Sequence, residues 1–328
     1  MKKVRFYHGR FGPYIPLYLR KRLVEGYKIE IICPVLEQFC RYLKYEFQNP
    51  KIITKKIIID WFSKERLWSP STSNNNVGII RGFIKFLESR GVRCWDFSHA
   101  TSLYKKRVEF IPHIYNKEEL KLMFQKLDSW PFNAASPFKH LALPLMFRFL
   151  INFGLRVGEV CNIKIKDISA DVLTVRDSKT RIKRFIPINA SLLEKVNNYK
   201  RKVHLDSSED ENFFLFDVGK PINDYYLETS FRELLYKCKM PHGGKSKGPR
   251  LYDFRHTYVV YRMRQWLEEG RDLLELAPYI TRFLGHKNFN QTIYYFSFVA
   301  DLFPDFRELE DALYRQVFPY VDMSEVYD

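Results

Sequence analysis

The amino-acid sequence predicts a mainly α-helical protein with one small β-hairpin, arranged in two domains. Three observations lead to this prediction. Apolar residues recur at three- and four-residue spacing through most of residues 30–105 and again beyond residue 116. Between these stretches, residues 106–116 lose this periodicity and contain Pro112, as a linker does. Only residues 171–188 change to the pattern that is expected of paired strands.

The first half of the chain is predicted to hold an arm and a helical domain. Residues 1–29 are basic, aromatic and rich in arginine, and Gly12 and Pro13 interrupt any helix there, so we expect an arm. Helical periodicity then begins near Pro34 and recurs in two further segments, the last of which ends before Gly91. Residues 30–105 are therefore predicted to form a small all-α domain with lysine and arginine on its outer faces.

The second half, residues 117–328, is predicted to form a larger domain with a C-terminal tail. Asn116 followed by Glu119 has the spacing of a capping box, which predicts the start of a helix. The apolar run 141–153 predicts a buried helix that ends at Gly154. Two apolar runs within residues 171–188 flank a polar segment and predict the β-hairpin.

Charge and composition limit the classes of function. Lys and Arg number 54 against 38 Asp and Glu, and a chain with a net charge of +16 usually binds a polyanion such as DNA or RNA. Ribosomal proteins and RNA-modifying enzymes share this balance, so the charge alone names no activity. The five cysteines are scattered without a CxxC pair, which argues against a disulfide framework or a structural zinc. With no apolar run of roughly 18 residues and no secretory signal pattern, we expect a cytoplasmic protein that does not enter a membrane.

Four short islands in the second half carry residue types suited to chemistry on a phosphodiester. They are Gly154-Leu155-Arg156-Val157-Gly158-Glu159, Ser178-Lys179-Thr180, Tyr252-Asp253-Phe254-Arg255-His256-Thr257, and Leu284-Gly285-His286 with Tyr295 nine residues later. Each island alone is unspecific, but in this order and at these spacings they together resemble the tyrosine recombinase (phage integrase) family. The resemblance implies a helical core-binding domain and a recombinase catalytic domain that close on DNA as a clamp.

The resemblance also implies the catalytic roles. A phosphodiester is an anion whose charge grows in the transition state, and a guanidinium offers a planar fork of donors that stays charged. By resemblance, Arg156 and Arg255 bind the phosphate and His286 hydrogen-bonds it. Tyr295 is the nucleophile, and Lys179 is the general acid that protonates the leaving 5′ oxygen. Because the arginines take the place of a metal ion, the resemblance implies no metal and no other cofactor.

Two further positions of the pattern concern the support of the site. Glu159 matches the acidic residue that supports the active site beside the first arginine. Where the family usually has histidine, this chain has Tyr252. A tyrosine still donates and accepts a hydrogen bond, but it titrates far higher, so the acid–base role of that histidine does not transfer directly.

Two neighbours of the catalytic residues leave alternatives open. His256 directly follows Arg255, so we expect it to face away from the site and to be structural. Tyr294 is next to Tyr295 and could be the nucleophile instead. The spacing from His286 favours Tyr295, which makes Tyr294 an aromatic core residue.

The sequence thus favours a site-specific recombinase that cuts and rejoins double-stranded DNA through a 3′-phosphotyrosyl link. Residues 262–278 and 296–302 are similar to a transposon-borne branch of the family, which favours integration or transposition of a mobile element. Strand exchange joins two duplexes and needs four active sites, so we expect a homo-oligomer that is tetrameric on DNA. An apolar stripe in residues 302–317 is interpreted as core, with contact to a neighbouring subunit as the alternative. The other functions considered are a type IB topoisomerase-like DNA relaxase and a catalytically silent DNA-binding protein.

Overall fold

The computed structural model describes residue 7 and residues 9–64, 68–97, 100–106, 111–176, 183–244, 248–285, 292 and 295. The chain divides into two compact units, residues 1–110 and 111–328. Helices dominate both units, and the strands form two small antiparallel sheets in the second. The prediction of a mainly α fold with a small β-hairpin is therefore confirmed. No helix within the described ranges is long and apolar enough to cross a membrane.

The first unit is built from helices around one aromatic-rich core. Its described α-helices are α1 (Tyr14–Val24), α2 (Ile29–Glu46), α3 (Lys55–Lys64) and α4 (Pro70–Glu88), followed by a 3-10 helix at Ala100–Leu103. Helix α4 begins where Ser69 Oγ accepts a 3.2 Å hydrogen bond from the Thr72 amide, with Pro70 at the first helical position. In the core, the Phe39 and Trp61 rings meet edge to face at 5.1 Å.

The N-terminal segment differs from the predicted arm. Helix α1 lies within it, and Ile15, Tyr18 and Leu19 of this helix are buried in the core of the first unit. Pro13 stands immediately before the helix and does not interrupt it, since proline is compatible with a helix start. The prediction of an arm is wrong for Tyr14–Val24, because burying these apolar side chains is more favourable than leaving them in water.

The second unit combines helices with the two sheets. Its described elements are α5 (Lys117–Asp128), α6 (Lys139–Phe153), α7 (Val157–Cys161), β1 (Ile168–Ser169), β2 (Val172–Arg176), β3 (Lys183–Pro187), α8 (Ala190–Val203), β4 (Leu215–Asp217), β5 (Lys220–Pro221), α9 (Asp224–Lys237), α10 (Asp253–Glu268) and α11 (Leu273–Leu284). Strands β2 and β3 pair in antiparallel register, with Leu173 opposite Ile186. Both of these residues are buried, so the hairpin lies with one face on the core.

Two helix termini that the sequence predicted are present. Asn116 and Glu119 exchange hydrogen bonds of 2.8 Å between side chain and backbone, which forms the capping box at the start of α5. Helix α6 ends at Gly154, whose φ of +56° is left-handed. A Cβ at this glycine would lie 2.5 Å from Cδ1 of Tyr258, so the close packing of α10 also requires a residue without a side chain.

The segment before α5 is fixed onto α10. The Tyr115 amide donates a 3.0 Å hydrogen bond to Oγ1 of Thr257, and the Tyr115 ring stacks on Phe254 at 4.6 Å. Thr257 and Phe254 flank Arg255 and His256 in the sequence. The helix that carries these residues is thus held by packing on both sides of them.

Candidate active site

Arg156 occupies the N-cap position of the short helix α7. Its Nη1 donates a 2.8 Å hydrogen bond to Oε1 of Glu159, and its amide donates one of 2.9 Å to Oε2 of the same carboxylate. Nη2 donates a 3.1 Å bond to the Gly285 carbonyl oxygen. The side chain remains 32% exposed, so this guanidinium is oriented by the protein and still accessible to an anion from solvent.

Arg255, on α10, is 1% exposed. Its Nη1 donates a 2.8 Å hydrogen bond to the Gly154 carbonyl oxygen, and its Nη2 donates one of 2.6 Å to the Leu284 carbonyl oxygen. These acceptors end helices α6 and α11, where carbonyl groups lack helical partners and carry partial negative charge. Burial lowers the pKa of the guanidinium, but an arginine starts so high that it keeps its charge.

Glu159 is the centre on which the arginines converge. Its side chain is 7% exposed, and Oε1 lies 2.7 Å from Nη2 of Arg184 in addition to its bond with Arg156. Nη1 of Arg255 lies 4.0 Å from Oε2. Three guanidinium groups around one carboxylate leave two net positive charges (3 − 1 = 2) in a largely buried place. Such an excess of positive charge favours a bound anion.

Arg184 was not identified by the sequence analysis. It lies on β3, where buried and exposed residues alternate and Arg184 shares the buried face with Ile186. An arginine at an inward position of a strand is unusual, because a buried charge is unfavourable unless it is paired. This alternation was visible in the sequence and could have indicated Arg184.

Tyr295 is 2% exposed and belongs to an apolar cluster with residues of α10 and α11. Thr292, three residues before Tyr295, accepts a 2.8 Å hydrogen bond at its Oγ1 from Oγ1 of Thr281 on α11. Burial, and next the neighbouring Tyr252, raise the pKa of the Tyr295 phenol, whereas Arg255 lowers it through its charge and a hydrogen bond. Tyr295 is therefore protonated at neutral pH, with Arg255 as the group that favours its ionisation.

His256 does not face away from the site, and that prediction is wrong. Its ring centroid lies 5.0 Å from that of Tyr252 and 5.2 Å from that of Tyr295. Tyr252 precedes His256 by four residues, and positions four apart share one face of a helix. Burial, together with the charges of Arg255 and Arg250, lowers the pKa of His256 to about 4, so the ring is neutral at physiological pH.

The structure therefore brings together five of the seven residues that the sequence singled out. They are Arg156, Glu159, Tyr252, Arg255 and Tyr295. Lys179 and His286, like the alternative Tyr294, lie outside the described residues. In the described part of the chain, no group of His, Cys, Asp and Glu could hold a metal ion. A phenol beside a cationic cluster is suited to nucleophilic attack on an anionic ester, with the arginines stabilising the added negative charge.

Comparison with known proteins gives one family and several similar chains. Residues 115–299 match the phage integrase family. A putative integrase/recombinase, y4rB of Sinorhizobium fredii, is 25% identical over 304 residues, which cover 89% of this chain and 95% of that protein. Two solved structures with similar folds are XerH site-specific recombinase bound to palindromic difH substrate and the Tn1549 transposon integrase in complex with a circular intermediate DNA.

Both structural similarities are extensive although the sequences have diverged. The XerH structure has a TM-score of 0.65 at 15% identity and covers 87% of this chain and 79% of its own. The Tn1549 integrase has a TM-score of 0.61 at 16% identity, with 85% and 93% covered. At these identities the likeness establishes the fold, and the arrangement of side chains has to be judged from the site itself.

Proposed function

This chain belongs to the phage integrase family of tyrosine recombinases, and we propose on this premise that it cuts and rejoins DNA at specific sites with Tyr295 as the nucleophile. The observation that carries the assignment is the placement of Tyr295 against Arg255, within the arginine cluster around Glu159. The names of the similar proteins favour recombination over DNA relaxation and over silent DNA binding.

The first step proposed is attack of the Tyr295 oxygen on the phosphorus of a DNA phosphodiester. Arg156 and Arg255 bind the non-bridging oxygens, and their charge offsets the negative charge that develops in the transition state. The phosphate brings its own negative charge next to a phenol whose raised pKa keeps it protonated at neutral pH. The phenol must lose its proton as it attacks, and Arg255 favours that loss. The proton is proposed to pass to water through the hydroxyl of Tyr252, which hydrogen-bonds the Tyr295 phenol and is exposed.

The bond between phosphorus and the 5′ oxygen breaks as the bond to Tyr295 forms. We propose that Lys179 gives its proton to this oxygen, because an alkoxide is a poor leaving group without an acid. The product is a 3′-phosphotyrosyl ester and a free 5′-hydroxyl. Attack of a 5′-hydroxyl from the partner duplex reverses the chemistry, so the energy of the ester is kept and no ATP is needed. His286 is proposed to hydrogen-bond the same phosphate.

The substrate proposed is double-stranded DNA, in keeping with the net charge of +16. Exchange between two duplexes involves four strand cuts, and each cut uses one tyrosine. A homo-oligomer, tetrameric when two sites are paired, is therefore proposed as the active form. The likeness to a transposon integrase and to proteins named integrase/recombinase supports action on a mobile element. We also propose a cytoplasmic location, which the scattered positions of the five cysteines, without a CxxC pair, support.

The experiment that tests this proposal is the trapping of a covalent complex on nicked duplexes of randomised sequence. A nick near the cut lets the short 5′-hydroxyl fragment diffuse away, so the adduct accumulates and can be seen on a denaturing gel. The duplexes recovered from the adduct identify the preferred sequence. We expect an adduct with the wild-type chain and none with Tyr295→Phe, which keeps the ring and its packing.

Tyr294→Phe is the matched control for this experiment. It removes one hydroxyl from the adjacent tyrosine, and the adduct should persist. Loss of the adduct in Tyr294→Phe with retention in Tyr295→Phe would assign the nucleophile to Tyr294. The absence of any adduct from wild-type protein that still binds these duplexes would reject the recombinase proposal.

A further inference from the structure

Arg184 is a buried arginine on strand β3 of the hairpin, and its guanidinium contacts Glu159 of the candidate active site. We infer that Arg184 is a positioning residue for the recombinase reaction: it offsets the charge of Glu159, so that Arg156 and Arg255 keep their own positive charge for the phosphate. The inference rests on the proposed function, because it assigns a role within that reaction.

The burial of Arg184 separates its role from that of Arg156. Only 7% of the Arg184 side chain is exposed, against 32% for Arg156, although both guanidinium groups contact the same oxygen of Glu159. Arg255 is also buried, but it hydrogen-bonds the phenol of Tyr295 and so reaches the reacting atoms. The guanidinium of Arg184 is instead directed at Glu159 and the Phe283 carbonyl oxygen. It acts on the reaction through Glu159.

Charge balance explains why Glu159 needs a third arginine. The carboxylate orients Arg156 by accepting from both its amide and its guanidinium. The same carboxylate also neutralises part of the positive field that should attract the phosphate. With Arg184 at 2.7 Å, the cluster retains two net positive charges, and without Arg184 it would retain one (2 − 1 = 1). Because the cluster is largely buried, solvent and salt screen this difference of one charge only weakly, and it acts on a phosphate at short range.

Arg184 also fixes the turn that follows α11. Its Nη1 donates a 2.8 Å hydrogen bond to the Phe283 carbonyl oxygen, while Arg156 donates to the carbonyl oxygen of Gly285. A Cβ at Gly285 would lie 2.9 Å from Nη1 of Arg184, and the φ of Gly285 is +66°. The turn is thus shaped to accept the Arg184 guanidinium, and it is held between β3 and the start of α7.

The first test is the rate of covalent adduct formation by Arg184→Met on the duplex selected with the wild-type chain. Methionine retains length and apolar packing but loses the charge and the donors. Removal of a donor that contacts the transition state costs about 10²–10³ in rate. Because Arg184 acts through Glu159, we expect a smaller loss, about 10-fold to 100-fold, with DNA affinity close to that of the wild type.

The decisive variant is the double substitution Arg184→Met with Glu159→Gln. It removes one positive and one negative charge, so the cluster regains the two net positive charges of the wild type. We expect the rate loss caused by Arg184→Met to be smaller by about 3-fold or more in the Glu159→Gln background than in the wild type. The remaining loss reflects the lost bond to the Phe283 carbonyl oxygen. An equal loss in both backgrounds would show that Arg184 acts independently of the Glu159 charge and would overturn the inference. Arg184→Lys, which keeps the charge, should retain more activity than Arg184→Met.

Lys183→Met is the matched control, since it removes a positive charge from the adjacent, exposed residue of β3. It should cleave at close to the wild-type rate, and a loss equal to that of Arg184→Met would overturn the inference. If Arg184→Met does not fold, the test uses Arg184→Lys and the double variant. The cleavage rates of Arg184→Lys, the double variant and Glu159→Gln are then expected to agree to within about 10-fold. A wild-type chain that forms no adduct rejects the proposed function, whereas an active wild type with an equally active Arg184→Met rejects this inference alone.

Discussion

The guanidinium of Arg255 donates a 2.8 Å hydrogen bond to the carbonyl oxygen of Gly154, two residues before Arg156. This bond joins helix α10 to the turn from which Arg156 projects. A second bond joins the same guanidinium to Leu284 at the end of α11. Arg255 therefore supplies charge and also fastens together three elements that carry the site.

Arg156→Ala and Arg255→Ala should both reduce cleavage, but they should differ in their effect on stability. Loss of one well-placed donor to the transition state lowers the rate by about 10²–10³. Arg255→Ala also leaves buried carbonyl groups without a donor, which should lower the free energy of unfolding by about 2 kcal/mol. Adduct formation and urea denaturation of both variants measure the two effects. Cleavage within a few-fold of wild type would remove that arginine from the site.

Gly154→Ala should destabilise the second unit. The positive φ of Gly154 disfavours alanine by about 1 kcal/mol, and the new methyl group would also meet the Tyr258 ring. Displacement of the ring should disturb the acceptor of Arg255, so the adduct rate should fall together with the melting temperature. Gly219→Ala provides a control with positive φ but no neighbour within 4 Å of the added carbon. Equal destabilisation by the two substitutions would show that the Tyr258 contact is unimportant.

Lys179→Ala should abolish cleavage of ordinary DNA and should be rescued by DNA with a 5′-phosphorothiolate at the cut. Sulfur leaves without protonation, so an acid is no longer needed. The ratio of cleavage rates on the two substrates measures the effect for the wild type and for the variant. Arg156→Ala is the control, because a sulfur leaving group does not replace a phosphate-binding cation. Failure of the rescue would point to another acid.

His256 should make the free energy of unfolding decrease as the pH falls below neutrality. Its pKa is lowered from 6.5 to about 4 in the folded chain, so the unfolded chain binds the proton more readily between these values. Stability is fully present above about pH 6.5 and falls as the pH decreases toward 4, by about 2 kcal/mol at pH 5. In urea titrations, the free energy of unfolding should fall less between pH 7 and pH 5 for His256→Phe than for the wild type. Parallel curves for the two proteins would contradict this assignment.

Both domains are predicted to bind the same DNA duplex and so to contact many phosphates. The affinity for DNA should therefore fall steeply as the salt concentration rises. The slope of log affinity against log salt concentration is about −0.9 for each phosphate contacted on duplex DNA. The second unit has hydrophobic clusters of its own, and residues 111–328 alone should bind more weakly and with a shallower slope than the whole chain. Equal affinity and slope for the two proteins would mean that residues 1–110 do not contact DNA.

Local signals in the sequence were sufficient for much of the secondary structure. The capping box of Asn116 and Glu119, the end of α6 at Gly154 and the hairpin follow from interactions between residues near in sequence. Helix α1 was missed because Gly12 and Pro13 were interpreted as interrupting a helix, and because the burial of its apolar residues depends on residues far along the chain. Local sequence preference predicts a helix correctly only where packing against distant residues does not determine whether the helix forms.

Some residues of the candidate site were identified from the sequence, and others only from the tertiary structure. The order and spacing of the islands resemble the family pattern, and this resemblance singled out Arg156, Arg255 and Tyr295. The enclosure of Arg184 beside Glu159 joins residues of β3 and α7, and no sequence spacing encodes that contact. The same holds for the neutral His256 beside Tyr295. Charge balance and pKa depend on distances and burial, and only the tertiary structure sets these.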